Sequence, residues 1–290
     1  MPADLGDPGA LATVPFARVT HVVHAAVDAG SSTQQARAVN LDGTLALAQR
    51  ARDGGRLRRF LHVGSAWICG AGARGVVGED DAPTPEPVSA YLVHKRAAEM
   101  ALEGLPGLPL MIARPSLVMG HTRLGCEPSA SLFWVLRLLD QLDSIPWGKH
   151  HRLDVVPVDW VAGALAHLLF TTSPAHRRCH LSAGPGGSVS WEDILRSFGG
   201  AEGRRSAPGE TRVSLSDWAA AAAADPRVGA RLSPSVLLGC LRFLEGDAVF
   251  DDARARELGV PAAPRLTDYL AICRSRDGGR TVAEQALDDR

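Results

Sequence analysis

Lysine and tyrosine are the scarce residues of this 290-residue chain: it has two of each, against 29 arginines. Aromatic residues make up only 5% of it. The five cysteines, at 69, 126, 179, 240 and 273, form no CxxC pair and no metal-ligand pattern. An odd count of this kind, without a secretory signal, points to a reducing, cytoplasmic setting rather than a disulfide framework. No apolar run approaches the ~18 residues of a membrane span, and Ala219–Ala224 is only a short helix core. Charge is near balance at a formal −1, so no excess of one sign draws the chain to nucleic acid or an anionic membrane. His150-His151 has no carboxylate or cysteine pattern beside it that would make a metal site.

Against that scarcity, Tyr91 and Lys95 lie four apart in Ser-Ala-Tyr-Leu-Val-His-Lys. One turn of helix puts both side chains on one face. In a chain this poor in lysine, such a spacing arises by chance roughly one time in a hundred. A nearby ammonium makes a phenol easier to ionise, which suits it to exchange a proton at neutral pH. A lysine kept where the chain otherwise uses arginine suggests a need for a compact point charge.

The first two-thirds of the chain alternates strand-like and helical patterns, which predicts a parallel α/β sheet. Strands are expected at Val19–Ala26, Arg59–Ala66, Leu108–Pro115, Leu153–Val158 and Cys179–Ala183. Helices are expected at Thr33–Arg52, from Ser89 as cap to Gly104, over Trp160–Phe170, and from the capping-box spacing Ser190-Trp-Glu-Asp193. Asp159 reads as the cap of the helix that follows it, and Gly70–Pro87 as a loop. Beyond about residue 200, Ala- and Leu-rich helical patches are broken by Pro208, Pro226, Pro234, Pro261 and Pro264. The expected organisation is a dinucleotide-binding domain over 1–185, with 121–150 contributing to a second lobe. That mostly helical substrate lobe covers 186–273, and a flexible tail covers 274–290.

Six segments, in order, carry a family resemblance: His24-Ala25-Ala26, Asn40-Leu-Asp-Gly43-Thr44, Val63-Gly-Ser65-Ala, Tyr91-x-x-x-Lys95, Arg114-Pro115-Ser116-Leu-Val118-Met-Gly120 and Val156-Pro-Val-Asp159-Trp-Val161. The chain resembles the extended short-chain dehydrogenase/reductases, and within them the thioester-reductase and fatty-acyl-reductase branch. The run from Arg114 through Thr122-Arg123-Leu-Gly125 looks like that branch rather than the sugar epimerases. The resemblance implies a doubly wound Rossmann-like sheet and an NAD(P)-dependent oxidoreductase. Its substrate would be a carbonyl or thioester-derived acyl group, an aldehyde, ketone or acyl compound that can be carrier-bound.

By the same resemblance, Tyr91 would be the general acid, and Lys95 would depress its pKa and hold the nicotinamide ribose. Ser65, at a strand's C-terminal end, would bind the substrate oxygen. Asn40 would order a water in the proton relay. Pro115 and Ser116 would line the nicotinamide amide, His24, Ala25 and Ala26 would pass under the adenosine side, and Asp4-Leu5 would touch the adenine. NADP is the expected cofactor, with NAD the alternative.

One part of the pattern is missing. The family begins with a strand, a glycine-rich turn and a helix that receives the pyrophosphate, whereas Asp4-Leu5 already looks like the segment after the third strand. Gly184-Pro-Gly186-Gly187 comes too late in the chain, and Gly70-Ala-Gly72 opens no helix. Either the reading frame starts upstream, or the chain is a degenerate relative that binds dinucleotide weakly; the intact Tyr91 and Lys95 favour the first. The run at Val19–Ala26 would then be an exposed sheet edge, open to self-association. The rival readings are a non-catalytic relative that keeps the fold, and a nucleotide-sugar epimerase or dehydratase using the same Tyr and Lys.

Overall fold

The computed structural model describes residues 3–7, 9–28, 33–126, 132–142, 145–172, 175–199, 214–226 and 233–276. Four parallel strands form the central sheet, in chain order: β1 (His21–His24), β2 (Arg59–Val63), β3 (Leu110–Pro115) and β4 (Arg178–Leu181). β3 is buried along its whole length and β2 over its first four residues. Sheets covered by helices on both faces read as continuous apolar runs for this reason. The register pairs His24 with His62 and Val63 with Ala113, so the strands' C-terminal ends form one rim. β1 pairs only with β2 among the described residues.

Helices make the crossovers. α1 covers 33–53 and has three parts: Thr33–Arg37 is α-helical, Ala38–Gly43 π-helical and Thr44–Asp53 α-helical again. α2 (Ala90–Glu103) links β2 to β3, and α3 (Val158–Phe170) precedes β4. α2 buries Leu92, Ala98 and Leu102 and ends at Gly104. Burying each such leucine contributes about 1.5–3 kcal/mol. Ser89 holds the N-cap position of α2, but its hydroxyl makes no capping bond.

The remaining strands are short. Arg152–Leu153 runs antiparallel to Val189–Ser190, and Leu117–Val118 runs parallel to Val155–Val156. Within the expected loop Gly70–Pro87, the strand Arg74–Val77 pairs in parallel with Asp247–Phe250. Ala255, Leu258 and Val260 then pack in the core cluster beside Val161, Ala164 and Leu168 of α3. The segment 247–260 thus packs on Arg74–Val77 and on α3.

A further buried cluster joins Leu117, Met119, Phe133–Leu136, Leu138 and Leu139 to Trp191, Trp218, Leu237, Leu241, Tyr269 and Cys273. Residues 132–142 thus contribute to it, and Ser190 caps the helix Trp191–Gly199 by accepting from Asp193 N at 3.1 Å. Residues 277–290 of the expected tail lie outside the described residues.

Candidate active site

The rim formed by the ends of β1, β2 and β3 brings most of the sequence-predicted residues together. α2 packs against the π-helical turn of α1 and the turn Ala66–Cys69 that follows β2. Tyr91 and Lys95 face inward from α2. Lys95 is buried, its ammonium donating to the carbonyl of Val63 at 2.7 Å and lying 5.8 Å from the centre of the Tyr91 ring. The lysine is thereby tied to the strand end that carries Ser65. Ser65 itself caps the Ala66–Cys69 turn, its Oγ accepting from Trp67 N at 3.3 Å. Pro115 and Ser116 close β3 and are buried.

Burial governs the electrostatics here. It lowers the Lys95 ammonium to about 8, against an opposing pull from Glu99. It raises the Tyr91 phenol to about 12. The expectation that Lys95 depresses the phenol is therefore not met: the cost of burying a phenolate sets the direction. Tyr91 is held protonated, in the form that gives a proton.

Asn40 is buried in the π-helical turn, a kind of interruption often found at working sites. Its side chain is engaged with the backbone of Asp28: Nδ2 donates to Asp28 O and Oδ1 accepts from Asp28 N, both at 2.7 Å. Asn40 thus pins the loop after β1, where Ala25, Ala26 and Val27 are exposed as a shelf. Gly43 lets the N-terminal segment close on α1, since a Cβ there would meet Leu5 O at 2.4 Å. Asp4 is exposed and turns on itself, accepting from Gly6 N at 2.8 Å.

His24 is buried and lies 2.7 Å from Thr44 Oγ1 through its Nε2. Burial, with the Lys95 charge second, lowers its imidazole to about 4. Asp159 is not a cap. It sits inside the first turn of α3 and accepts from Thr122 N at 3.1 Å and Thr122 Oγ1 at 2.5 Å, holding the turn after Gly120.

Sequence reasoning missed the buried supports. Arg114 donates to Glu99 Oε2 through Nε at 2.9 Å and Nη2 at 2.6 Å, and to Glu79 O at 2.8 Å. Glu99 lies four residues beyond Lys95, a spacing that could have signalled it. Asp154, fully buried, accepts from Ala183 N at 2.8 Å and Phe250 N at 3.1 Å, and burial raises it to about 6. A cavity of about 270 Å³ opens beside α2 at Glu79, Arg96, Glu99 and Arg178, but none of Tyr91, Lys95, Ser65 and Asn40 lines it.

Both internal glycine clusters are crowded at their first glycine. At Gly184 the Asp252 carboxylate fills the place a side chain would take, at 2.5 Å, which sets an anion where another anion would bind. At Gly70 the Thr84 hydroxyl and Glu86 carbonyl fill that space. Among the described residues no group of three or more His, Cys, Asp or Glu could hold a metal ion. The five cysteines form no disulfide, and no described helix is long and apolar enough to cross a membrane.

Residues 7–165, more than half of the chain, match the NAD-binding family described as male sterility protein. The chain belongs to that family. It is an extended short-chain dehydrogenase/reductase of the thioester-reductase-like branch. The family match spans β1 to α3 and so includes the whole rim.

This male sterility family member is 26% identical over 198 residues to the aldehyde reductase lnaA of Aspergillus flavus, covering 63% of the chain and 19% of that protein. It is 28% identical over 113 residues to lnbA, another aldehyde reductase of that fungus, covering 36% and 11%. The chain therefore spans a fifth or less of the length of these curated relatives. In fold it is similar to the terminal R domain from the myxalamid PKS-NRPS biosynthetic pathway, with a TM-score of 0.74 at 22% identity over 95% of this chain and 74% of that one. It is also similar to the Bordetella bronchiseptica enzyme WbmG solved in complex with NAD, with a TM-score of 0.63 at 18% identity over 98% and 80%.

Proposed function

We propose that this chain carries the acid–base half of an NADPH-dependent reductase, acting on an aldehyde, a ketone or a thioester-derived acyl group. One observation carries the reading. Tyr91 lies one helical turn from Lys95, whose buried ammonium stands 5.8 Å from the phenol ring and is fixed to Val63 O at the mouth of the parallel sheet.

The residues present fit the nicotinamide half of a dinucleotide. Lys95 lies within the rim, Pro115 and Ser116 close the neighbouring strand, and the small side chains of Ala25 and Ala26 leave the end of β1 open. When bound, the nicotinamide supplies hydride. Tyr91 gives its phenolic proton to the substrate oxygen as negative charge gathers there. An alkoxide is a stronger base than a phenolate, so even a phenol raised to about 12 gives its proton downhill. The Ser65 hydroxyl, at the strand end, orients that oxygen. Lys95 offers a positive charge that stabilises the phenolate left behind, and its two remaining N–H groups are available to the ribose hydroxyls.

NADPH as donor and a carrier-bound acyl substrate rest on the family resemblance. The Aspergillus aldehyde reductases support the carbonyl class. The test is NADPH oxidation with aldehyde and acyl-thioester acceptors, by the unaltered protein and by Tyr91→Phe.

A further inference from the structure

Cys126 and Cys273 are far apart in the chain, yet both belong to the buried cluster that holds Trp134 and Trp191. Each is 1% exposed, and their thiols are hydrogen-bonded to one another. Two glycines bring the turn before Cys126 onto the helix Leu266–Ser275. At Gly120, with φ +71°, a Cβ would meet Cys273 Sγ at 2.5 Å. At Gly125, with φ +76°, it would meet Ile272 O at 3.0 Å. Both backbone conformations favour glycine, and both places leave no room for a side chain.

The turn is held from three sides. His121 and Gly125 exchange backbone hydrogen bonds at 2.8 and 3.2 Å, which closes it on itself. Arg276 Nη1 donates to Arg123 O at 2.7 Å, tying it to the end of the helix. From α3, Asp159 accepts from Thr122 N at 3.1 Å. Backbone contacts thus fix where the two sulfurs lie.

Buried thiols are ordinarily inert, because burial disfavours the thiolate. Cys69 and Cys179 follow that rule, raised by burial to about 11 and about 12. Cys273 departs from it. The Cys126 thiol donates to its sulfur and lowers it against the pull of burial, with the His121 backbone N–H adding to the effect and the Asp159 charge opposing it. Arg123 and Leu124 are exposed, so the chain reaches solvent within two residues of Cys126.

We propose that Cys126 and Cys273 are a reversible redox pair, which a peroxide converts to a disulfide that staples the turn 121–125 to the helix Leu266–Ser275. The Cys273 thiolate attacks one peroxide oxygen and the O–O bond breaks, leaving a sulfenic acid and, after protonation, one water. The Cys126 sulfur then displaces hydroxide from the Cys273 sulfur, and its proton leaves with that hydroxide as a second water. The two thiols lose two electrons and hydrogen peroxide gains them. A dithiol reductant reverses the change by exchange.

Trypsin makes the pairing readable. Cys126 falls in the peptide Leu124–Arg137 and Cys273 in Leu266–Arg274, while Cys69, Cys179 and Cys240 fall in three others. Reduced, unaltered protein is treated with hydrogen peroxide, its remaining thiols are blocked with iodoacetamide, and the peptides are identified by mass. The link between Leu124–Arg137 and Leu266–Arg274 is expected to exceed every other cysteine link at least about tenfold, and dithiothreitol should remove it. In protein unfolded by urea before oxidation that preference should vanish. In Cys126→Ser, oxidation should stop at a Cys273 sulfenic acid that dimedone traps.

Both cysteines staying open to iodoacetamide while other cysteines oxidise would overturn the pair. So would a link no commoner than the rest, or a preference that persists in urea. If Cys126→Ser does not fold, the unaltered protein decides alone. The urea midpoint should also rise on oxidation, because closing so long a loop restrains the unfolded chain; a midpoint that falls would overturn the staple. None of these measurements needs turnover, so they stand apart from the reductase reading.

Discussion

Lys95 donates to the carbonyl oxygen of Val63 at 2.7 Å, so the helix bearing the Tyr–Lys pair is bolted to the strand that ends in Ser65. The bond fixes a charged group where burial opposes charge, and that cost can be read from pH. Lys95 is lowered from 10.5 to about 8 in the folded protein. Between those values the unfolded chain binds more protons, so stability rises with pH across this window. The change is about 3 kcal/mol, at 1.4 kcal/mol for each unit. Urea unfolding at about pH 7.5 and about pH 9.5 should show the rise, and Lys95→Met should lack it. Above pH 10 the raised Tyr91 acts with the opposite sign.

Removing one partner of the buried Arg114–Glu99 pair should be severe. Glu99→Gln leaves a guanidinium that is 10% exposed without its counter-charge. The expected loss is about 3–5 kcal/mol, seen as a lower urea midpoint at unchanged slope. An unchanged midpoint would show that Glu79 O alone satisfies Arg114.

The outer side of β1 should make this chain self-associate. Val23, Val27 and Phe170 are 45%, 42% and 66% exposed, and the His21 ring packs on Phe170 at 5.1 Å. No charged side chain guards the strand His21–His24, and unguarded edges pair with other chains. Sedimentation should show concentration-dependent association that Val23→Lys reduces. A monodisperse monomer at high concentration would contradict this.

NADPH should bind this chain more weakly than low micromolar, because the Asp252 carboxylate crowds Gly184 and the Thr84 hydroxyl and Glu86 carbonyl crowd Gly70. Calorimetry showing low-micromolar binding would mean that other residues grip the phosphates.

Much of this was legible in the sequence where local pattern and tertiary packing agree. β2 and β3 are apolar because both faces are covered, and α2 runs to the glycine that ends it. The pairing of Arg74–Val77 with Asp247–Phe250 was not legible. Arg-Gly-Val-Val is mostly exposed and its partner lies some 170 residues away, so no local signal marks it. Asp159 looked like a cap because it stands at a helix start; its Thr122 partner comes from a turn that only the fold brings near. The raised Tyr91 phenol was missed because spacing reports proximity to a charge, while burial, which outweighs it here, is a property of the folded chain.

The central claim is that Tyr91 supplies the proton in an NADPH-dependent reduction. The most direct measurement is the rate of NADPH oxidation with an aldehyde or acyl thioester, with NADPH in excess, for the unaltered protein and for Tyr91→Phe. Phe keeps the ring and its packing and removes only the hydroxyl. In Tyr91→Phe kcat is expected to fall at least about 100-fold, with the fold intact by circular dichroism. Turnover that survives Tyr91→Phe would contradict it.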